Sequence, residues 1–323
     1  VSRLRSRGNR DELRRAATST ASRLLVTAAI LIYLSFTIDM AAAARAVVSI
    51  DPFYLTAVLL LVAIDRGVMI LRWVLLLGAS GVRVATGHAA SIFLVSSFVG
   101  SFLPAGIGGD AARAWSLTRV TAEGSEALAS VAVDRLLGIL SLVAMGAVGW
   151  LAWSPIHGGD WRSVAAIGVV IGVCLAAFWA DRLARAIVPA HLHGGLLTQR
   201  LLRVSDAVSR YRGRGAVLAH VMAWSIAVQL LRITQAYLLG LGLGLEVPFR
   251  YYLLFMPLGL LMLLLPISVS GFGLPQGVIV WLLRPMGVPD EQSFALSTLI
   301  VLTGLAGNLP GLWLWLRTRR EIL

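Results

Sequence analysis

The chain has 323 residues, 58% of them hydrophobic and only 14% charged, with a mean hydropathy of +0.83. That composition excludes a soluble enzyme and leaves no polar stretch long enough for a separate soluble domain, so the chain reads as an all-α polytopic membrane protein. The formal charge of +12 rests on 28 basic residues, all arginine. Their placement follows membrane topology and not a nucleic-acid-binding patch, so no nucleic-acid partner is expected.

In chain order, residues 1–23 carry seven arginines against Asp11 and Glu12 and form a cytoplasmic basic N-terminus. The first membrane half covers 24–180. Within it, apolar runs predict span 1 at Leu24–Ala44, an outer loop at Arg45–Pro52, and span 2 at Phe53–Leu77. From His88 to Leu103 the chain is apolar but too short to cross a hydrocarbon core of ~30 Å at about 1.5 Å per residue. Pro104 and the glycines Gly106, Gly108 and Gly109 then break it, and Asp110–Val120 returns, which gives a re-entrant hairpin over 88–120. Span 3 is Ser125–Trp153 and span 4 is Ser163–Ala180.

Residues 181–215, with seven arginines and apolar residues at helical spacing, form a cytoplasmic amphipathic linker. The second membrane half covers 216–316. It holds span 5 at Ala216–Leu241, a second hairpin over 251–283 broken at Pro266, and span 6 at Ser293–Leu316. A basic tail, 317–323, follows. With both hairpins returning to the side they came from, cytoplasmic segments hold 20 arginines and outer loops four. A full crossing at Pro104 would put the basic 181–215 segment outside, against the positive-inside bias.

The halves echo each other. Gly78 lies 26 residues before Pro104, and Gly240 lies 26 before Pro266. A short tryptophan-bearing helix and an acidic turn follow each break, around Trp115 and Glu126, then Trp281 and Asp290. Six full spans and two broken hairpins therefore form inverted repeats, an arrangement used by secondary transporters.

Ionisable groups at span centres cost about 2.5–3.5 kcal/mol each on insertion scales, so Arg72, Asp134, Arg135 and Arg232 are candidates to line a cavity. Asp65 and Arg66 read either as a packing pair or as part of that cavity. Guanidinium forks suit phosphate oxygens. The amides of Gly106, Gly108 and Gly109 can approach an anion at a helix start. Asp110 and Arg113, three apart, share a face; Asp110 serves either as a cap or in the site. Ser268, Gly271, Gly273 and Gln276 supply neutral hydrogen bonds and backbone freedom at the second break. No Walker loop, nucleophile elbow, metalloprotease helix or zinc-cysteine pattern occurs, and His191 and His193 make a weak pair. No catalytic residue, metal or cofactor is expected.

The order Leu103-Pro104-x-Gly106-x-Gly108-Gly109-Asp110-x-x-Arg113, then Ser130-Val131-x-x-Asp134-Arg135, then Pro266-x-Ser268-x-x-Gly271-x-Gly273, resembles the transmembrane region of lysylphosphatidylglycerol synthases, the flippase-like family. The resemblance implies a multi-pass protein of a bacterial or archaeal inner membrane that moves lipids or lipid-linked head groups between leaflets. It also implies no lipid aminoacylation, since the family's soluble synthase domain has no counterpart in this sequence. Two departures stand out: Gln276 replaces the family's usual Glu, and the usual arginine near Leu302–Gly304 is absent. Three readings follow. One is a transporter of anionic phospholipid or polyprenyl-phosphate-linked head groups. Another is a non-transporting membrane subunit serving a partner synthase or glycosyltransferase. The third is a transferase acting on a lipid-linked substrate.

Overall fold

In the computed structural model, residues 38–82, 84–102, 107–121, 124–157, 205–262 and 273–318 are described, with scattered positions in 32–36 and 168–176. Every regular element among them is helical. We number the helices α1 (Met40–Val48), α2 (Pro52–Ser80), α3 (Thr86–Phe102), α4 (Ile107–Val120), α5 (Gly124–His157), α6 (Gly215–Gly242), α7 (Phe249–Met262), α8 (Leu274–Leu283), α9 (Asp290–Ala306) and α10 (Leu309–Thr318). Four stretches are long and apolar enough to cross a membrane: Pro52–Ser80, Gly124–Trp153, Gly215–Gly242 and Asp290–Arg317. Helices α3 and α7 are apolar but shorter. Pro104, Pro266, about half of span 1, most of span 4, and 181–204 lie outside the described residues.

Two expectations need correction. The first span was read as one rod to Ala44, with Arg45 in a loop. Instead a new helix starts at Met40: the Asp39 carboxylate, in extended backbone, accepts from the amides of Ala41 and Ala42 at 2.9 Å, and Arg45 lies inside that helix. The last span, expected over 293–316, stands as the apolar stretch Asp290–Arg317 but is not one regular helix. It is interrupted at Gly307 and Asn308, between α9 and α10.

The boundaries of α2 follow from its ends. Asp51 caps it through the Phe53 amide with Pro52 at the first position, and Gly81 closes it at φ 85°. Helices α2 and α6 run antiparallel in close contact. The Asp51 amide donates to the Gly242 carbonyl at 3.2 Å, Asp65 meets Arg232 midway, and Arg72 meets Ser225 further along. Helices α3 and α4 fold back on each other through two glycines: a Cβ on Gly100 would sit 2.6 Å from the Gly109 Cα. Helices α7 and α8 form the corresponding pair, with the Tyr251 hydroxyl donating to the Leu282 carbonyl.

The two hairpins are held by the long helices. Helix α4 packs on α5 and α8 on α9; α2 touches α3 and α5, and α6 touches α7 and α9. Helix α7 lies along α5, and α3 lies along α10. The end of the 181–215 segment is described and is not merely superficial. Ala207, Val208 and Tyr211 are buried against Leu76, Val133 and Val221, and the Tyr211 hydroxyl donates to the Leu76 carbonyl at 3.1 Å. One face of an amphipathic piece is thus absorbed into the core.

Candidate functional site: a charged cavity between the helices

A cavity of about 420 Å³ opens among α2–α6, α7 and the α9–α10 break. Five arginines and three aspartates line it: Arg66, Arg72, Arg113, Arg135 and Arg232 with Asp65, Asp110 and Asp134. Charge at this depth persists only if paired, since an isolated ion in a low dielectric has lost its hydration. The structure pairs them in two groups.

The first group joins α2, α4 and α5. Asp134 sits between two guanidiniums, with Arg72 Nη2 2.8 Å from Oδ1 and Arg113 Nη2 3.1 Å from Oδ2. These three side chains are each only 5% exposed. Arg72 also donates to Ser225 Oγ at 3.1 Å, which ties in α6. The Arg113 guanidinium lies 5.2 Å from the ring centres of both Trp73 and Phe93, so aromatic faces replace part of its lost hydration. Arg113 continues to Asp110 at 3.1 Å, and Asp110 accepts from Arg135 Nε. Asp110 therefore spends its carboxylate on arginines. Arg135, on the cavity side, is 39% exposed.

The second group joins α2, α6 and α9. Buried Asp65 faces Arg66 at 3.5 Å and Arg232 Nε at 3.3 Å. The Met69 sulfur accepts from both guanidiniums, at 3.5 Å from Arg66 and 3.0 Å from Arg232. Arg66 Nη2 donates to the Gly304 carbonyl of α9 at 3.3 Å. Both arginines keep a partly exposed edge toward the cavity.

Of the residues singled out from sequence, Arg72, Gly109, Asp110, Arg113, Asp134, Arg135 and Arg232 meet at this cavity, and Asp65 and Arg66 join them. Gly108 is half-buried beside Gly109 in the first turn of α4, where helix amides have no intrahelical acceptor. Gly109 has a packing duty as well: a Cβ there would meet the Ser96 carbonyl at 2.9 Å.

Gly273 and Gln276 do not line the cavity. Gln276 is fully buried, and its Oε1 accepts from the Gly273 amide at 2.7 Å, capping its own helix. Gly273 stands at φ 94°, a conformation open to glycine. Its acceptor is thus used at the second break itself, while its buried Nε2 donor has no partner among the described residues. Gly106, Ser268 and Gly271 lie outside the described residues, as do His191 and His193.

The free-fork picture of the arginines also changes. Arg72 and Arg113 are enclosed and committed to Asp134, while Arg66, Arg135 and Arg232 face the cavity, each sharing a carboxylate. Sequence reasoning missed the amides around them. Gln229, Gln235 and Asn308 also line the cavity; Gln229 donates to Ser141 Oγ at 3.3 Å, and Asn308 donates to Ser101 Oγ at 2.7 Å. The signal for two of them was present, because Gln229 and Gln235 flank Arg232 at three residues on either side within an apolar run.

Comparison with curated proteins gave no match. Residues 21–311, most of the chain, match the family of the lysylphosphatidylglycerol synthase TM region. The protein is thus a multi-pass membrane protein related to lipid handling, and it belongs to that family.

Proposed function

We propose that the protein is a flippase-like transporter that carries the anionic phosphate head group of a membrane lipid between leaflets. The observation that carries this reading is the cavity's charge. Five guanidiniums face three carboxylates in one space, and three of the five side chains stay partly exposed. A phosphate monoester or diester would satisfy the excess positive charge and accept from several forks at once. Lipid tails would remain in the bilayer, outside the helices.

The reading includes six full spans, two re-entrant hairpins and inverted repeats. The packing supports it. An offset of 162 residues relates Gly78 to Gly240, Pro104 to Pro266 and Gly149 to Gly311. The same exchange maps α2, α3, α4 and α5 onto α6, α7, α8 and the α9–α10 pair. The packing of α3 on α4, α4 on α5, α2 on α5 and α5 on α7 then has its counterpart in α7 on α8, α8 on α9, α6 on α9 and α10 on α3. The antiparallel α2–α6 pair is its own counterpart, as a two-fold axis in the membrane plane requires. Rocking of one half against the other would change which leaflet the cavity faces. The arginine distribution supports a cell-membrane location with both termini cytoplasmic.

The test is head-group translocation in reconstituted vesicles, wild type against Arg135→Ala and Arg232→Ala. Both variants are expected to slow translocation at least about tenfold, the effect of losing one charge-assisted contact worth roughly 1.5–3 kcal/mol. Equal rates in all three would refute the site. A covalent lipid product formed by the purified protein would replace the transporter reading with a transferase.

A further inference from the structure

The interruption of the last span has a specific wiring. In an unbroken helix the amide of residue i+4 donates to the carbonyl of residue i. Here the Gly307 amide still reaches the Thr303 carbonyl at 3.0 Å, but the Asn308 amide tightens to the Leu305 carbonyl at 2.9 Å. The Gly304 carbonyl is left without its helical donor, and Arg66 supplies one from α2 at 3.3 Å. Pro310, two residues on, has no amide for the Ala306 carbonyl. Helix α2 fits tightly at this point: a Cβ on Gly307 would collide with Val62 and lie 3.1 Å from Arg66 Nε.

The two sides of the break belong to different neighbours. Helix α9 packs on α8, α6, α2 and α1, whereas α10 packs on α3. Asn308 is bonded to Ser101, and Gly311 abuts the Leu94 backbone. The break thus joins the second hairpin to the first. Its counterpart α5 is continuous over Gly124–His157.

We infer that Arg66 couples head-group occupancy of the cavity to the break in the last span. This rests on the phosphate reading above. Arg66 bonds a backbone carbonyl at a helix break, and it also borders the cavity. A phosphate entering the cavity competes for its guanidinium with the Gly304 carbonyl. A charged acceptor outbids a neutral one, since charge-assisted hydrogen bonds are about twice as strong. Once released, the Gly304 carbonyl takes back the Asn308 amide. The α9–α10 segment straightens, and the α3 hairpin moves with α10. Arg66 is a positioning residue in this scheme, acting through the break.

The experiment measures the distance between spin labels at Leu302→Cys and Leu316→Cys, both exposed positions, with Cys174→Ser removing the native thiol. Dioleoyl phosphatidic acid is the probe, added to saturation in nanodiscs of neutral lipid, and its binding is followed separately by native mass spectrometry. In the wild-type background the separation is expected to lengthen on binding, toward the ~21 Å of a straight fourteen-residue helical rise. Arg66→Gln is expected to abolish the lengthening at saturating lipid. Pro310→Ala, which restores the missing donor without touching the cavity, is expected to give the longer distance with or without lipid.

Bound phosphatidic acid with an unchanged wild-type distance overturns the coupling. Lengthening that survives Arg66→Gln overturns the role of Arg66. If Arg66→Gln does not fold, Pro310→Ala alone decides: a distance that still responds to lipid refutes the mechanism. Absence of any binding defeats the phosphate reading itself, and the coupling with it.

Discussion

Gly149 in α5 and Gly311 in α10, 162 residues apart, each bring their helix onto the backbone of a short apolar helix, α7 and α3 respectively. A Cβ on Gly149 would occupy the space of the Leu253 carbonyl, and one on Gly311 that of the Leu94 carbonyl. At the first contact the reason is chemical as well as steric. Pro257 carries no amide, so the Leu253 carbonyl has no helical donor four residues on, and it lies where a Gly149 side chain would be. The two glycines thus make matching close approaches.

Gly149→Ala and Gly311→Ala should each destabilise the protein by about 1–3 kcal/mol, the usual range for forcing atoms into a packed contact. Gly67→Ala, in open space within α2, should be neutral or slightly stabilising because it removes backbone freedom from the unfolded chain. Thermal unfolding of the detergent-solubilised variants checks this. Equal melting points for all three would mean that the close approaches do not hold the halves together.

The buried and exposed members of the first ionic group should separate stability from transport. Asp134→Ala leaves enclosed Arg72 without a carboxylate and Arg113 with Asp110 alone, and removing one partner of a buried pair costs about 3–5 kcal/mol. That loss should appear as poor recovery of folded protein. Arg135→Ala removes a partly exposed side chain and should cost no more than about 1 kcal/mol of stability while still impairing translocation. Size-exclusion recovery and melting temperature, measured beside transport, distinguish the two. An Asp134→Ala protein as stable as wild type would show that Asp134 is not the counter-ion.

Gln276 should behave as a helix cap. Gln276→Ala removes the acceptor for the Gly273 amide and should cost about 1 kcal/mol, while Gln276→Glu keeps an acceptor but places a carboxylate at a fully buried position and should cost more wherever that carboxylate is ionised. Neither should change which lipids bind. Lipid selectivity that shifts with Gln276→Glu at unchanged stability would return this residue to the binding surface.

The sequence exposed the parts of this molecule that depend on average hydropathy. Helices α2, α5 and α6 end within a few residues of the apolar runs that announced them, because Pro52, Gly81 and Arg214–Gly215 are local stop and start signals. What hydropathy averages over was missed. The Gly307–Asn308 break lies in a run that stays apolar through Leu316, so the Pro310 signal was outweighed. Asp39 was absorbed into span 1 in the same way. The composition of the site was legible, since a charge inside a span is conspicuous. Its pairing was not: which guanidinium meets Asp65 depends on the antiparallel register of α2 and α6, and no local signal encodes that.

That register gives the last prediction. Asp65 and Arg232 are 167 residues apart and meet only if α2 and α6 run antiparallel at this offset. In a double-mutant cycle of Asp65→Asn and Arg232→Gln, the two changes should be non-additive, with a coupling of about 0.5–3 kcal/mol. Asp65→Asn alone should be the more harmful single change, because it leaves both Arg66 and Arg232 without their shared carboxylate. Arg232→Gln leaves Asp65 still facing Arg66. Additive effects on unfolding free energy would place the two side chains apart and break the α2–α6 contact on which the cavity is built.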